Sequence, residues 1–323
     1  MSERERFLYI LGAGLLLLLF LMSSTDLIIK EKDVEIYPVS VIINDDRDED
    51  YVNFKKGMDK AAEEFNVDVS FITLYSSNDQ EQQLELVRRE IRDGTKAIIL
   101  APVNEDDTVM SLDSMKLNCP FVFLDAQSPS EFVTDSIMTD WKDMGEKLGS
   151  AAAAGVPPEV PVCLFTEGLS FTGNTGIYDG VRTVLEERGY VCRLYEKKSE
   201  DTYREAIGAT VYPDREKIAA VALDSRALRE VSQIIGESSV YEENVEGLYG
   251  VGSTTEILYD LDQGIIDGIV TYDRFTEGYL SVKRAVEAIE GNRQKRQTIL
   301  EAYYLEREDL RDKAYEKMLY PIE

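Results

Sequence analysis

Short, almost entirely apolar segments alternate with amphipathic segments over most of the chain, and this alternation restricts the fold more than any other feature. Val39–Ile43 and Ala97–Leu100 are apolar runs of strand length. Between them, Phe54, Met58 and Phe65 recur at helical spacing on one stripe. Apolar strands separated by amphipathic helices predict parallel sheets that helices cover on both faces.

The alternation runs through the chain twice, which predicts two doubly wound α/β domains. A length of 323 residues agrees with this, because one domain usually holds about 100–200 residues. The first series has predicted strands at Val39–Ile43, Val67–Leu74, Ala97–Leu100 and Phe121–Asp125. The second has them at Val160–Phe165, Val191–Tyr195, Ala219–Leu223, Leu248–Val251 and Gly268–Val270. Two further helices are predicted over Thr276–Glu290 and Glu306–Leu319.

An uncharged segment near the N-terminus has the composition of a membrane span. Phe7–Met22 is apolar, and no charged residue occurs between Phe7 and Thr25. A helix over this segment, with its Ser/Thr extension, approaches the thickness of a bilayer core. A cleaved signal peptide is the alternative, but an Ala-x-Ala cleavage site is absent. We therefore expect one transmembrane signal-anchor helix (1–25), a tether (26–37), and an extracytoplasmic remainder.

Composition excludes several classes of function. Lys+Arg 35 against Asp+Glu 62 gives a formal charge of -27, which disfavours a nucleic-acid partner. The chain has no histidine, so Ser-His-Asp triads and HExxH zinc sites are impossible. Cys119, Cys163 and Cys192 lie in apolar or strand-like runs and are interpreted as buried free thiols, with a Cys163–Cys192 bridge as the alternative. No metal or other cofactor is expected.

The loops that follow the predicted strands are where a ligand should bind, because ligands of doubly wound sheets lie outside the carboxyl ends of the strands. An aspartate at such a position has an alternative structural role as a helix cap or turn residue. Trp141, Tyr272 and Phe275 are candidate aromatic contacts, and core packing is the alternative for Trp141. The candidate ligand-binding residues are Asp45, Asp46, Asp125, Asn174, Asp224, Thr254, Tyr272 and Asp273.

Known local motifs give little further support. The acidic segment 44–50 lacks the glycine and glutamate that an EF-hand loop requires, so it is either a solvated loop or a set of carboxylates facing a cleft. Gly250-Val-Gly252 lacks the third glycine of a dinucleotide fingerprint and is best interpreted as a turn. The sequence contains no GxxxxGK[ST] phosphate-binding loop.

The order of several short segments resembles the periplasmic sugar-binding proteins of the ribose/galactose type. The segments are Phe54–Gly57 with Ala61-Ala62, Gly94–Val103, Cys119–Asp125, Thr139-Asp140 with Gly145, Gly264–Val270, and Tyr272–Tyr279. The resemblance implies two α/β lobes joined by three crossovers, with lobe I at 38–138 plus 273–303 and lobe II at 139–272 plus 304–323. It also implies a ligand-binding role for Asp125.

The polar contact residues of that family are only partly kept. Ile177 stands where the family usually carries an arginine, and Tyr272 stands where it carries a glutamine. Of an Asn-Asp pair only Asp224 remains, and Thr254 replaces another aspartate. The resemblance therefore implies the scaffold, with a ligand that differs from an ordinary pentose or hexose.

The hypothesis that follows is a membrane-anchored extracytoplasmic solute-binding protein. Its lobes would close over a small polar ligand, a carbohydrate by resemblance, for an ABC permease or a membrane sensor kinase. A carboxylate-based glycoside hydrolase that uses Asp125 and Asp224 is the alternative. A repressor-like ligand domain is disfavoured, because an apolar segment occupies the place of a DNA-binding motif.

Overall fold

The computed structural model describes residues 2–24, 36–115, 117, 119–198, 202–211 and 216–321. The chain divides into two compact units, residues 1–36 and residues 37–323. The strands of the second unit are β1 (Tyr37–Ile42), β2 (Val67–Ile72), β3 (Ala97–Leu100), β4 (Phe121–Leu124), β5 (Val133–Thr139), β6 (Val162–Thr166), β7 (Cys192–Glu196), β8 (Ile218–Ala222), β9 (Val245–Val251), β10 (Gly268–Tyr272), β11 (Arg296–Leu300) and β12 (Ala302–Leu305).

Helices connect most of these strands. They are α1 (Glu3–Ser24), α2 (Val52–Phe65), α3 (Gln80–Asp93), α4 (Glu105–Ser114), α5 (Trp141–Gly155), α6 (Asn174–Glu187), α7 (Tyr203–Val211), α8 (Ser225–Gly236), α9 (Ser239–Asn244), α10 (Thr255–Gln263), α11 (Arg274–Ile289) and α12 (Lys313–Leu319). Two short 3-10 helices occupy Glu49–Tyr51 and Arg307–Arg311.

The N-terminal unit contains helix α1. Its segment Glu3–Met22 has 20 residues and a hydropathy of 1.9, and none of it is buried in the structure. At 1.5 Å per residue the segment is about 30 Å long, which matches the hydrocarbon core of a bilayer. A membrane anchor and a signal sequence both meet these criteria. Most of the predicted tether, residues 26–35, lies outside the described residues.

The second unit contains two six-stranded sheets with corresponding strand orders, and the predicted α/β fold with two parallel-sheet lobes is confirmed. The first sheet has the order β11-β5-β4-β3-β1-β2, and the second has the order β12-β10-β9-β8-β6-β7. All neighbours in the first sheet are parallel. In the second sheet β12 is antiparallel to β10, and the other pairs are parallel.

The chain passes between the two sheets three times. It crosses from β5 to β6, from β10 to β11, and from β11 to β12. The predicted lobe boundaries stay a prediction: 138/139 and 272/273 lie at the ends of β5 and β10, whereas 303/304 falls within β12.

Glycine residues allow two pairs of helices, α2 with α11 and α5 with α6, to pack closely against each other. A Cβ atom on Gly57 of α2 would lie 2.0 Å from the carbonyl oxygen of Phe275, so only glycine allows α2 and α11 to approach this closely. A Cβ on Gly180 of α6 would lie 2.3 Å from the carbonyl oxygen of Lys142, which brings α5 and α6 together in the same way. The first pair places the starts of α2 and α11 side by side, and the second places Trp141 against the start of α6.

The prediction of one continuous helix over Glu306–Leu319 is wrong. A 3-10 turn, Arg307–Arg311, is followed by the separate helix α12. Asp312 between them has an extended backbone with ψ 127°, and its side chain accepts a hydrogen bond from the N–H of Ala314. An aspartate that caps a new helix in this way interrupts the preceding one.

The three cysteines are free thiols, and the alternative of a Cys163–Cys192 bridge is not formed. Cys163 and Cys119 are buried, whereas Cys192 is half-buried. In the parallel pair β6–β7, Val162 lies opposite Cys192 and Cys163 lies opposite Arg193. Because successive residues of a strand point to opposite faces, the two cysteines face away from each other.

Candidate binding cavity

A cavity of about 550 Å³ lies at the carboxyl ends of strands from both sheets. Asn44, Ala101 and Asp125 follow strands of the first sheet and line it on one side. Glu167 and Asp224 follow strands of the second sheet and line it on the other. This is the position at which a doubly wound fold is expected to bind a ligand.

The structure brings most of the predicted site residues to this one cavity. Six of the eight line it, namely Asp45, Asp125, Asn174, Asp224, Thr254 and Tyr272. Asp46 and Asp273 are not among the lining residues. Asp46 accepts a hydrogen bond from the hydroxyl of Ser77 at 2.6 Å. Asp273 caps α11 by accepting from the backbone N–H and the hydroxyl of Thr276 at 2.9 and 2.6 Å.

Asp224 is held by hydrogen bonds within the protein. Its Oδ1 accepts from the N–H of Ala227 at 2.9 Å and so caps α8. Its Oδ2 accepts from the hydroxyl of Thr166 and the N–H of Glu167, both at 2.9 Å, and from the amide of Asn174 at 3.2 Å. Burial raises the pKa of Asp224 above its usual value in spite of these bonds. Both carboxylate oxygens of Asp224 and the side-chain amide of Asn174 are therefore already hydrogen-bonded within the protein, as expected for residues with a structural role.

Asp125 has a different environment, because only one of its oxygens has a hydrogen bond to the described residues. Its backbone has a φ of 53°, a left-handed conformation that aspartate tolerates better than most residues. Its Oδ1 accepts from the N–H of Thr139 at 3.0 Å. Burial, assisted by the nearby Glu277 carboxylate, raises the pKa of Asp125 to about 8. Its second oxygen remains available at the cavity.

An arginine stacked on two tyrosines lies beside Asp125. The Cζ atom of Arg274 is 5.1 Å from the ring centre of Tyr51 and 4.7 Å from that of Tyr272. Its Nη1 pairs with Oε2 of the buried Glu277 at 3.2 Å. The rings and this ion pair fix the guanidinium, and its planar fork has further donors that suit neighbouring ligand oxygens.

Aromatic side chains form an apolar part of the same cavity. The rings of Trp141 and Tyr272 meet edge to face with centres 5.7 Å apart. Trp141 is half-buried and packs against Gly173, where a Cβ would lie 2.7 Å from the indole ring. The hydroxyl of Tyr272 is buried and has no hydrogen-bond partner among the described residues. Phe275 is not among the lining residues, and its backbone instead contacts Gly57.

The acidic loop after β1 contacts the second sheet's side of the cavity. We call residues 44–50 the latch loop. Asp45 and Asp46 both pair with Arg226, the latter at 3.5 Å. The remaining contacts join Arg229 to Glu49 at 2.8 Å, the Ser225 hydroxyl to Asp50 at 2.7 Å, and the Asn44 amide to the Thr172 hydroxyl at 2.8 Å. The loop is thus neither simply solvated nor free to bind a ligand with all of its carboxylates.

Sequence reasoning missed Tyr51, Arg226, Arg274 and Glu277. Arg226 and Arg274 lie in the first turns of α8 and α11, directly after the strand ends where a ligand was expected, so a search for cations after those strands would have found them. Tyr51 and Glu277 carry no such signal, because their role depends on the close packing of α2 against α11.

The cavity contains groups suited to binding a polar molecule. Asp125 and Arg274 offer an acceptor and several donors side by side, and Trp141 and Tyr272 offer apolar rings. Charge-assisted hydrogen bonds and ring stacking are the interactions that hold polyhydroxylated molecules. Within the described residues, no group of Asp, Glu or Cys side chains is arranged to hold a metal ion.

Comparisons with known proteins agree with this geometry. A family model described as a periplasmic binding protein domain matches residues 39–293. A search of curated proteins found no significant match.

Several solved structures share the fold. A glucose-galactose binding protein, GanP, from Geobacillus stearothermophilus is 19% identical and has a TM-score of 0.73, covering 86% of this chain and 100% of its own. An ABC transporter solute-binding protein from Bacillus halodurans with bound myo-inositol is 18% identical, with a TM-score of 0.73 and coverages of 86% and 97%. One from Agrobacterium vitis with bound D-fucose is 14% identical, with a TM-score of 0.76 and coverages of 88% and 100%.

Proposed function

Because the chain belongs to the periplasmic binding protein family, we propose that it is an extracytoplasmic solute-binding protein that closes its two lobes over a small polyhydroxylated ligand. Closure of two stiff lobes around a ligand is a hinge motion in which the connecting segments absorb the change in dihedral angles. The three chain connections between the sheets are suited to this. Exclusion of water on closure strengthens the hydrogen bonds from carboxylate and guanidinium to ligand hydroxyls.

The strongest support is that Asp125, with an oxygen available for a ligand, and the stacked Arg274 line the same cavity. A volume of about 550 Å³ falls within the usual range for small-molecule sites. The cavity is lined from both sheets, so a ligand bound there would contact both lobes. Neutral polyols in the similar structures, such as D-fucose and myo-inositol, support a ligand of this class.

A glycoside hydrolase is less well supported than a binding protein. Hydrolysis by paired carboxylates needs one group to act as an acid and another as a base or nucleophile. The oxygens of Asp224 already accept four hydrogen bonds from the protein, one of which caps a helix. Asp224 is therefore poorly suited to act as the partner of Asp125 in catalysis.

We also propose that α1 anchors the protein in the membrane with residues after it outside the cytoplasm. The support is the uncharged, fully exposed segment Phe7–Met22. An anchored binding protein would present its ligand, or its closed form, to a membrane partner. An ABC permease and a sensor kinase are the two partners in question, and the similar ABC transporter proteins favour the first.

A thermal-shift experiment tests the proposed function. The full chain in a mild nonionic detergent is screened with D-glucose, D-galactose, D-arabinose, D-fucose and myo-inositol. We expect at least one of them to stabilise the protein, by about 2.7 kcal/mol when present at about 100 times its dissociation constant.

The matched variants are Arg274→Met, which removes the stacked guanidinium, and Arg182→Met, which removes an exposed arginine of α6. We expect only the first to abolish the shift. Equal shifts in both variants would contradict the proposal, and so would the absence of a shift with all of these compounds and all of the amino sugars described below.

A further inference from the structure

Acidic groups outnumber basic groups in both charged clusters of the cavity, as far as the structure describes them. In the latch cluster, three arginines (Arg47, Arg226 and Arg229) face five carboxylates, those of Asp45, Asp46, Glu49, Asp50 and Glu256. In the deeper cluster, Arg274 is the one cation among the described residues beside two carboxylates, Glu277 and Asp125. The other lining carboxylates are satisfied within the protein, since Glu167 pairs with Lys197 and Asp224 accepts four hydrogen bonds.

The carboxyl group that has no ion pair in the deeper cluster is that of Asp125. Arg274 forms its ion pair with Glu277 at 3.2 Å, and no ion pair joins a described residue to Asp125. The groups that surround Asp125 are Arg274 and Glu277 of α11, Tyr51 before α2, and Tyr272 of β10. Of these only Arg274 is a cation, so the described part of the chain supplies no separate partner for the second buried carboxylate.

We propose that the cavity selects a ligand bearing a protonated amine, of the amino-sugar or amino-polyol class, and that Asp125 accepts a hydrogen bond from that amine. The proposal rests on the proposed binding function and specifies the ligand of the same site. An ammonium group would neutralise the carboxylate that the protein leaves unpaired, and the hydroxyl groups of the ligand would occupy the donors of Arg274. An anionic sugar would add to the excess of negative charge and is disfavoured for the same reason.

Proton release on binding is a second consequence. Burial raises the pKa of Asp125 to about 8, so at about pH 6.5 its carboxyl group holds a proton for most of the time in the absence of a cation. A ligand ammonium stabilises the ionised carboxylate, so binding should expel close to one proton. A neutral sugar provides no charge to drive this ionisation.

The experiment is a calorimetric titration of the full chain in detergent at about pH 6.5, in two buffers with different ionisation enthalpies. The probes are D-glucosamine, D-galactosamine and D-mannosamine, each compared with its parent hexose and with D-glucuronate and D-galacturonate. We expect one amino sugar to bind several-fold more tightly than its parent hexose, because the charge-assisted hydrogen bond outweighs the free energy needed to ionise Asp125. Its binding enthalpy should differ between the two buffers by the difference in their ionisation enthalpies, multiplied by about one released proton.

Asp125→Asn tests the assigned residue, since it keeps the shape of the side chain and removes its charge. This variant should bind the amino sugar and the parent hexose with similar affinity and release no proton. Asp106→Asn makes the same substitution at an exposed position on α4 and should retain the full preference.

The outcomes separate this inference from the proposed function. If parent hexoses bind as tightly as the amino sugars, or if Asp125→Asn retains the preference, the inference is wrong and the sugar-binding function stands. If no member of the panel binds, the proposed function fails together with the inference.

Discussion

At the scale of single residues, Asp125 and Arg274 differ in how far the sequence reveals them. Asp125 ends an apolar strand, so its place at the edge of a parallel sheet could be predicted from the residues beside it. The importance of Arg274 depends on stacking against Tyr51, which is distant in the sequence and is brought near by the contact between α2 and α11. Local pattern contains no information on such a contact.

The burial of Asp125 predicts a pH-dependent stability. Its pKa is about 8 in the folded protein and about 3.8 in the unfolded chain, so between these values the folded state binds more protons. The free energy of unfolding of the ligand-free protein should therefore fall as the pH rises from about 5 to 8, by up to about 4 kcal/mol from this group. An asparagine side chain cannot titrate, so Asp125→Asn should remove this part of the pH dependence and be the more stable protein at about pH 8.

Urea unfolding followed by tryptophan fluorescence measures the effect, because Trp141 is the single tryptophan and lies in the cavity. Asp106→Asn is the control and should follow the wild-type profile. Parallel pH profiles for the wild type and Asp125→Asn would show that folding does not raise the pKa of Asp125.

At the scale of elements, the latch loop links the two sides of the cavity by electrostatic contacts. The side chains of Arg226 and Asp45 are only 14% and 20% exposed, so their ion pair is shielded from salt more than a surface pair would be. Arg226 also faces Asp46 and Asp50, and without it these carboxylates would repel one another. The contact favours the arrangement in which the two lobes are close.

Replacing Arg226 should therefore open the protein. We expect Arg226→Gln to increase the radius of gyration in small-angle X-ray scattering and to weaken binding of whichever probe stabilises the wild type. The weaker binding follows because a smaller fraction of molecules is then in the competent state. Arg182→Gln, which breaks the exposed pair with Glu186, should change neither quantity. Unchanged scattering and affinity in Arg226→Gln would show that the latch loop has no part in closure.

The predicted strands include those buried on both faces as well as the partly exposed β2 and β7, and the strands that were missed have a physical reason. β1, β3, β4, β6 and β8 are apolar runs, whereas β5 contains Thr134, Asp135 and Ser136 and was not predicted. Asp135 is 2% exposed, and its charge is balanced by Arg284 at 3.4 Å and Arg296 at 3.2 Å. A strand stabilised by ion pairs to distant segments lacks the hydrophobic pattern on which prediction depends.

At the scale of the whole molecule, the two sheets have corresponding strand orders and direct their carboxyl ends toward one cavity. This arrangement follows from rules of chain connection, so the general position of the site could be predicted once the strands were identified. The contacts across the cavity could not be predicted. The sequence of the latch loop shows only an acidic segment, and its partners Arg226 and Arg229 are brought to it by the fold.

A solute-binding protein should hold one small polar ligand between its lobes and leave it chemically unchanged. Native mass spectrometry of the full chain, released from detergent after incubation with the most stabilising compound of the neutral and amino-sugar panels, tests this directly. We predict one intact copy of that compound per wild-type chain, and an empty Arg274→Met variant beside an occupied Arg182→Met control. A hydrolysed or otherwise altered compound, or equal occupancy of wild type and Arg274→Met, would contradict it.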